Sequence, residues 1–250
     1  MKTFGLIGFP LTHSFSQKYF TEKFRDENIA AEYLNLPIQN ISEIKLIIKN
    51  NPSLCGLNVT IPHKQTVIPF LDELDETAKK VGAVNCIKII QKSEIRNQKL
   101  KGFNTDVLGF ENSLKKYLQS HHTKALILGN GGAARAVEYV LNKIGIEYFI
   151  VSRKKTTQIN NLCYSDLNEE IINSHPLIIN TTPLGMFPEI SSFPNIPYQF
   201  ISKKNLLFDL IYNPEETLFM KKGKEKNATV VNGLEMLKLQ AERAWEIWNE

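Results

Sequence analysis

A chain of 250 residues, 42% hydrophobic and 22% charged, can form one large or two modest domains, each with a buried core. A net charge of +4 with a pI near 8.8 is too mild for a nucleic-acid binder, which concentrates its basic residues in a patch, but it suits small anionic ligands. No apolar run reaches the roughly 18 residues that span a bilayer, and the start "MKTFGLIGFP" reads as a first strand rather than a secretory signal, so no membrane partner and a cytoplasmic location are expected.

Strand-like and helical runs alternate from the start: "TFGLIGF", a helix near 16–28, "AEYLNLP", a helix near 41–50, then "LCGLNVT". After Pro62 a helical stretch is expected to Lys80, followed by the strands "AVNCIKII" and "KLKGFN". This alternation predicts an α/β fold with a mostly parallel sheet covered by helices. Val107, Phe110, Leu114 and Leu118 recur at helix spacing behind Asp106, which sits in the first turn, where a carboxylate is favoured. A second unit opens with "ALILGNGGAARAVEYVLNKIGIEYFIVSR", a strand, glycine turn, helix and strand. The strands "PLIINTTP" and "NLLFDLIY", a helix from about Pro214, the strand "ATVVNG" and a helix over 234–248 complete it. The last helix is expected to return to the first domain, giving 1–105 with 232–250 as one domain and 106–231 as the other.

The three cysteines, Cys55, Cys86 and Cys163, are far apart and lack CxxC spacing, so reduced thiols are expected. No HExxH motif or Cys/His cluster suggests a metal. His63 follows Pro62 as a lone histidine and is expected to be structural, and His121 and His122 are expected to be exposed in a polar linker.

"LGNGGAARA" places Gly129, Gly131 and Ala134 in the G-x-G-x-x-A pattern between a strand and a helix. Glycines there permit a tight turn and close approach of a pyrophosphate, and the helix start offers free amides and positive partial charge. An NAD site would set an acid at the end of the next strand, where this chain has Arg153, Lys154 and Lys155 instead. Cations beside the ribose favour a 2′-phosphate and hence NADP.

Taken together, "GFPLTHSFS", "NVTIPHK", "GAVN", "GFNTD", "GNGGAARA", "NTTPLGM" and "NGLEMLKLQA" resemble the ordered motifs of the shikimate dehydrogenase family. The resemblance implies two domains, an N-terminal substrate domain and a Rossmann-like NADP domain, and reversible reduction of 3-dehydroshikimate to shikimate. It implies that Ser14 and Ser16 meet the substrate carboxylate, and that Thr60, Lys64, Asn85, Asp106 and Gln240 surround the ring hydroxyls, with Tyr212 closing over the ligand. Gly129, Asn130, Gly131, Gly132 and Ala133 would hold the pyrophosphate, Ser152, Arg153 and Lys154 the 2′-phosphate, and Leu210 and Gly233 the nicotinamide, with Glu76 approaching from the first domain. Three departures stand out, one being Ser152-Arg153-Lys154 where the family reads Asn-Arg-Thr. Gln17 follows Ser16 where the family has proline, and few residues separate Arg153 from "NLCY", so the crossover helix there is expected to be stunted or missing.

The chemistry is consistent with those residues. Reduction of a ketone leaves charge on the carbonyl oxygen, which an ammonium such as Lys64 stabilises and protonates, and Asp106 can anchor that ammonium so that the two act as a coupled acid and base. Asn58, Thr60, Asn85, Asn104 and Gln240 are side chains that both donate to and accept from a polyhydroxylated ring. A relative oxidising quinate with NAD and a non-catalytic nucleotide-binding homologue are the alternatives, and monomer and homodimer both remain open.

Overall fold

The computed structural model describes residues 1–11, 14–91, 98–153 and 160–250. The chain divides into two units, Met1–Thr105 with Ala241–Glu250, and Asp106–Gln240. The second division falls inside the last helix rather than ahead of it at residue 232.

In the first unit, strands β1 (Lys2–Gly8), β2 (Ala31–Pro37), β3 (Leu54–Val59), β4 (Glu73–Leu74), β5 (Cys86–Gln91) and β6 (Gln98–Phe103) form one sheet in the order β2-β1-β3-β5-β6-β4. β1 pairs in parallel with β2 and β3, and β4 with β6, while β5 runs antiparallel to β3 and β6. Helices α1 (Phe15–Asp26), α2 (Ile44–Asn50) and α3 (Glu76–Val81) belong to this unit, as does the end of the chain from Ala241. The helix expected from Pro62 to Lys80 is instead a run of turns, a 3₁₀ turn at Ile68–Phe70, β4 and α3. Pro69 has no amide to donate, Asp72 spends its carboxylate on the Leu100 amide (2.7 Å), and Asp75 caps α3 through the Ala78 amide (2.8 Å).

One core of this unit is aromatic: Phe4, Phe20, Phe24, Tyr33 and Trp248 pack together. The Trp248 ring stacks on Phe4 at 4.9 Å, and its Nε1 donates to the Ile87 carbonyl oxygen at 3.0 Å. A Cβ on Gly56 would lie 2.3 Å from that indole, so a glycine is required where the ring crosses the strand.

The second unit carries α4 (Asp106–Lys115), β7 (Lys124–Leu128), α5 (Gly132–Ile144), β8 (Glu147–Ser152), β9 (Asn161–Cys163), α6 (Glu169–Ser174), β10 (Leu177–Asn180), β11 (Leu206–Asp209), α7 (Leu218–Lys224) and β12 (Thr229–Val231). The final helix, α8 (Leu234–Asn249), begins here. All five strand pairings are parallel, in the order β12-β11-β10-β7-β8-β9. The direction of winding therefore reverses between β7 and β10, the position where doubly wound sheets bind ligands. Helix α7 starts later than expected because Thr217 caps it, its hydroxyl accepting from the Met220 amide at 3.3 Å. Only residues 153–160 connect β8 to β9, and the crossover expectation concerns residues 154–159, outside the described ones.

His122 is not exposed. It is buried, its Nδ1 accepts from the Gln119 amide at 3.0 Å, and burial pushes its pKa down. His121 is exposed, as expected.

Candidate active site

The substrate motifs of the first unit collect at one end of its sheet. β1 and β3 are parallel neighbours with Ile7 opposite Val59, so the segments leaving their carboxyl ends start side by side. The Thr60 amide donates to the Ile7 carbonyl oxygen at 2.9 Å and the Phe9 amide to that of Ile61 at 3.0 Å. A Cβ on Gly8 would lie 2.4 Å from Thr60 Cγ2, so the two segments touch only because Gly8 lacks one.

Lys64 stands on the turn after β3. His63 points inward, and its Nε2 lies 2.9 Å from the Ile38 carbonyl oxygen. A carbonyl only accepts, so this nitrogen carries the proton and the imidazole serves the turn, as the sequence suggested. Val67, fully buried, anchors the other end of the turn, and the Val84 amide donates to the Lys64 carbonyl oxygen at 2.7 Å. Lys64 itself is half-buried.

A buried hydrogen-bonded chain runs beneath these segments. The Tyr33 hydroxyl on β2 donates to Asn58 Oδ1 on β3 (2.7 Å), and Asn58 Nδ2 donates to the Asn85 carbonyl oxygen (3.4 Å). Ser16 is the other partner of the Tyr33 hydroxyl. An amide oxygen cannot donate, so the Tyr33 proton is committed to Asn58 and Ser16 must donate to Tyr33. Burial pushes the Tyr33 phenol well above its ordinary range, so it remains the neutral donor. Asn85 Oδ1 accepts from the Thr105 amide (2.7 Å) and its Nδ2 donates to Thr105 Oγ1 (2.9 Å), fixing the chain one residue before Asp106. Asn104 Nδ2 donates to the Ala83 carbonyl oxygen at 2.9 Å. Ser14 caps α1, its Oγ accepting from the Gln17 amide at 3.2 Å. Glu76 is exposed at the head of α3 and pairs with Lys79 at 2.9 Å. Tyr33 was missed in the sequence because it reads as one more core aromatic of a strand, and its hydroxyl gains a role only across the sheet.

In the second unit Asp106 is buried as the first residue of α4. One turn on, a Cβ at Gly109 would lie 3.2 Å from Gln240 Cβ on α8, so this helix packs closely beside Gln240. Gln240 Nε2 donates to the Leu237 carbonyl oxygen at 2.9 Å, and Tyr212 is half-buried beyond β11.

Of the residues assigned to the nucleotide, those described in the second unit lie beyond the carboxyl ends of its parallel strands. Gly129 leaves β7 with φ +106°, a conformation that suits glycine, and a Cβ there would lie 2.8 Å from Thr181 Oγ1. Asn130 and Gly131 are exposed. No side chain caps the first turn of α5, and nothing lies within 4 Å of a Cβ built on Gly131. Among the described residues, the Gly131 N-cap of α5 thus opens onto free space, and buried Ala134 lets α5 sit on the sheet, an arrangement that fits a pyrophosphate at the helix start. At the end of β8 Ser152 donates to Asn161 Oδ1 at 3.2 Å, and Arg153 is close enough for its charge to act on the Tyr164 phenol. Lys154 lies outside the described residues. Leu210 and Gly233 are brought together: a Cβ on Gly233 would lie 2.1 Å from the Leu210 carbonyl oxygen.

The family profile for the shikimate dehydrogenase substrate binding domain matches residues 6–87. A Clostridium beijerinckii protein named shikimate dehydrogenase (NADP(+)) is 39% identical, covering 100% of this chain and 93% of that one. The chain belongs to the shikimate dehydrogenase family. The crystal structure of the shikimate dehydrogenase of Aquifex aeolicus superposes with a TM-score of 0.85 at 36% identity, covering 100% of this chain and 92% of that one. A Thermus thermophilus shikimate 5-dehydrogenase, solved in complex with NADP(H) and shikimate, gives 0.84 at 28% identity over 99% of this chain and 93% of its own. Family membership explains why the serine motif, the lysine turn and the glycine turn occur in one chain.

Proposed function

We propose that this chain is an NADP-dependent oxidoreductase that interconverts 3-dehydroshikimate and shikimate in the cytoplasm, within aromatic amino-acid (chorismate) biosynthesis. The observation that carries the reading is that the similarity to an NADP-named shikimate dehydrogenase, 39% identity, covers the full length of the chain, and with it the segments of the Lys64 turn and the Gly129–Ala133 turn. Met1–Thr105 with Ala241–Glu250 is read as the substrate unit and Asp106–Gln240 as the nucleotide unit.

NADP+, when bound, would supply the hydride acceptor for the ring carbon bearing the reacting hydroxyl, so that the protein has to hold the hydroxyl proton released as that C–O bond becomes a carbonyl. Lys64 and Asp106 are the residues proposed to hold that proton, with Lys64 stabilising the alkoxide as charge develops on the oxygen. The Lys64 turn is held at His63, Val67 and Val84, so the amine is presented from a fixed point and little reorganisation is needed. Ser14 and Ser16 are proposed to bind the carboxylate, Ser16 turning its one proton from the Tyr33 oxygen to the ligand when it binds, and Thr60, Asn85, Gln240 and Tyr212 the ring hydroxyls. Asn58, 4% exposed with both ends of its amide engaged, is proposed to act from beneath by holding Ser16 and Asn85 through the Tyr33 chain. The amides of Gly129–Ala133 are proposed to hold the pyrophosphate, with Ser152, Arg153 and Lys154 on the 2′-phosphate, Leu210 and Gly233 beside the nicotinamide, and Glu76 approaching the cofactor from the first domain.

The test is nicotinamide absorbance with purified protein on shikimate or quinate, each with NADP+ or NAD+. Turnover is expected with shikimate and NADP+. Its absence refutes the reading, and a preference for quinate with NAD+ would replace it.

A further inference from the structure

The carboxylate of Asp209 does not belong to any group assigned above, yet it joins the walls of the nucleotide turn. It ends β11 directly opposite Asn180 at the end of β10, and both side chains are fully buried. Asp209 Oδ1 accepts from Asn180 Nδ2 (3.0 Å) and from the Ile211 amide (3.1 Å), while Oδ2 accepts from the Thr217 hydroxyl (2.6 Å). Three donors from three segments meet one carboxylate, which a single amide oxygen could not accommodate as well.

The consequences extend outward from Asn180. With its Nδ2 held by Asp209, its Oδ1 faces the next loop and accepts from the Thr182 amide (3.0 Å) and hydroxyl (2.7 Å). Thr182 Oγ1 accepts in turn from the Leu184 amide at 3.2 Å. Thr181 donates from its amide (3.0 Å) and hydroxyl (2.7 Å) to the carbonyl oxygen of Leu128, the last residue of β7. These two threonines are the atoms a Cβ on Gly129 would strike, at 2.8 and 2.9 Å. On the other side, the Leu210 amide donates to the Asn180 carbonyl oxygen (3.0 Å), and the Gly233 amide to that of Ile211 (2.9 Å).

We infer that Asp209 is a positioning residue for NADP: its carboxylate sets the polarity of Asn180, and through it the loop that backs the Gly129 turn and the segment carrying Leu210. The inference rests on the NADP reading above. The groups facing Asp209 are Asn180 of β10, the Ile211 amide and Thr217 ahead of α7, with Tyr198 within range of its charge. Burial pushes the Asp209 pKa up to about 6, against the pull of these three donors. Protonating it puts a donor among donors, as substitution by asparagine does.

The experiment measures NADP+ dissociation constants by titration calorimetry for the full chain, Asp209→Asn and Thr182→Val, and shikimate KM for each. Asp209→Asn keeps the shape and is expected to weaken NADP+ roughly tenfold or more near pH 8, the scale of one misplaced buried hydrogen bond, with shikimate KM unchanged. Thr182→Val is expected to weaken NADP+ in the same direction and to add little in the Asp209→Asn background. The wild-type advantage over Asp209→Asn is expected to shrink towards one near about pH 5, because the side chain at position 209 is then neutral in both proteins; titration of the ligand's own phosphate cancels in that ratio. Equal or tighter NADP+ binding by both variants, or a ratio independent of pH, overturns the inference while leaving the reaction standing. A wild-type chain that binds no NADP+ overturns both.

Discussion

Replacing Tyr33 by Phe removes one oxygen from the chain that links the serine motif to the strand ends. The ring remains, stacked on Phe20 at 4.8 Å, so apolar burial is unchanged and the cost is polar. Asn58 Oδ1, on a side chain only 4% exposed, loses a 2.7 Å donor, which costs about 1–3 kcal/mol for a buried acceptor. Ser16 loses its acceptor but, at 9% exposure, lies nearer to water, adding at most about 1 kcal/mol. The expected loss is therefore roughly 1–4 kcal/mol, or about 2–16 °C in Tm for a chain of this size. Both tryptophans pack in the aromatic core of the first unit, so tryptophan fluorescence during urea unfolding reports that unit specifically. Shikimate KM is expected to rise because Ser16 and Asn85 lose their common support, and NADP+ affinity is expected to stay constant. A double-mutant cycle with Asn58→Val is expected to show coupling. A loss below about 0.5 kcal/mol with unchanged shikimate KM would refute the proton assignment through Tyr33.

Lys64→Ala is expected to lower kcat by roughly 10²-fold to 10⁴-fold, as for loss of a positioned acid or base; a higher KM at unchanged kcat would make Lys64 a binding residue only. Arg153→Ala is expected to weaken NADP+ far more than NAD+, measured as separate dissociation constants, and equal losses would remove the 2′-phosphate assignment. Stability carries a signature of Asp209, whose pKa rises on folding from 3.8 to about 6. A carboxyl raised on folding contributes stability in its neutral form, present below about pH 4 and lost as pH climbs through about 6. The difference between wild type and Asp209→Asn is therefore expected to shift against wild type by about 3 kcal/mol across that window, and urea midpoints that move in parallel would contradict it.

Local signals carried far in this chain because many of its devices are local. "AEYLNLP" became β2 over its full length, and the glycine pattern with its flanking strand and helix appeared as β7, the turn and α5. His63 read correctly as structural, since a lone imidazole beside Pro62 had a backbone carbonyl available and no partner ligand in the sequence. Where local signals competed, the sequence misled: a helical pattern after Pro62 lost to Pro69 and to two aspartates whose carboxylates were taken by the Leu100 and Ala78 amides.

What the sequence determined by itself is the family, the order of the elements and the identity of the side chains that reach the strand ends, because motif spacing and hydrophobic period depend only on neighbours along the chain. What only the tertiary structure decided is which polar atoms are already spent. Asn58 and Ser16 look alike as ligands in the sequence, but one proton on Tyr33 divides their roles, and Asp209 looks like an ordinary strand-end acid until Asn180, Ile211 and Thr217 are seen to donate to it. A hydrogen-bond inventory is a property of atoms far apart in sequence and within 3 Å in space, so it is settled only when the sheet closes around it.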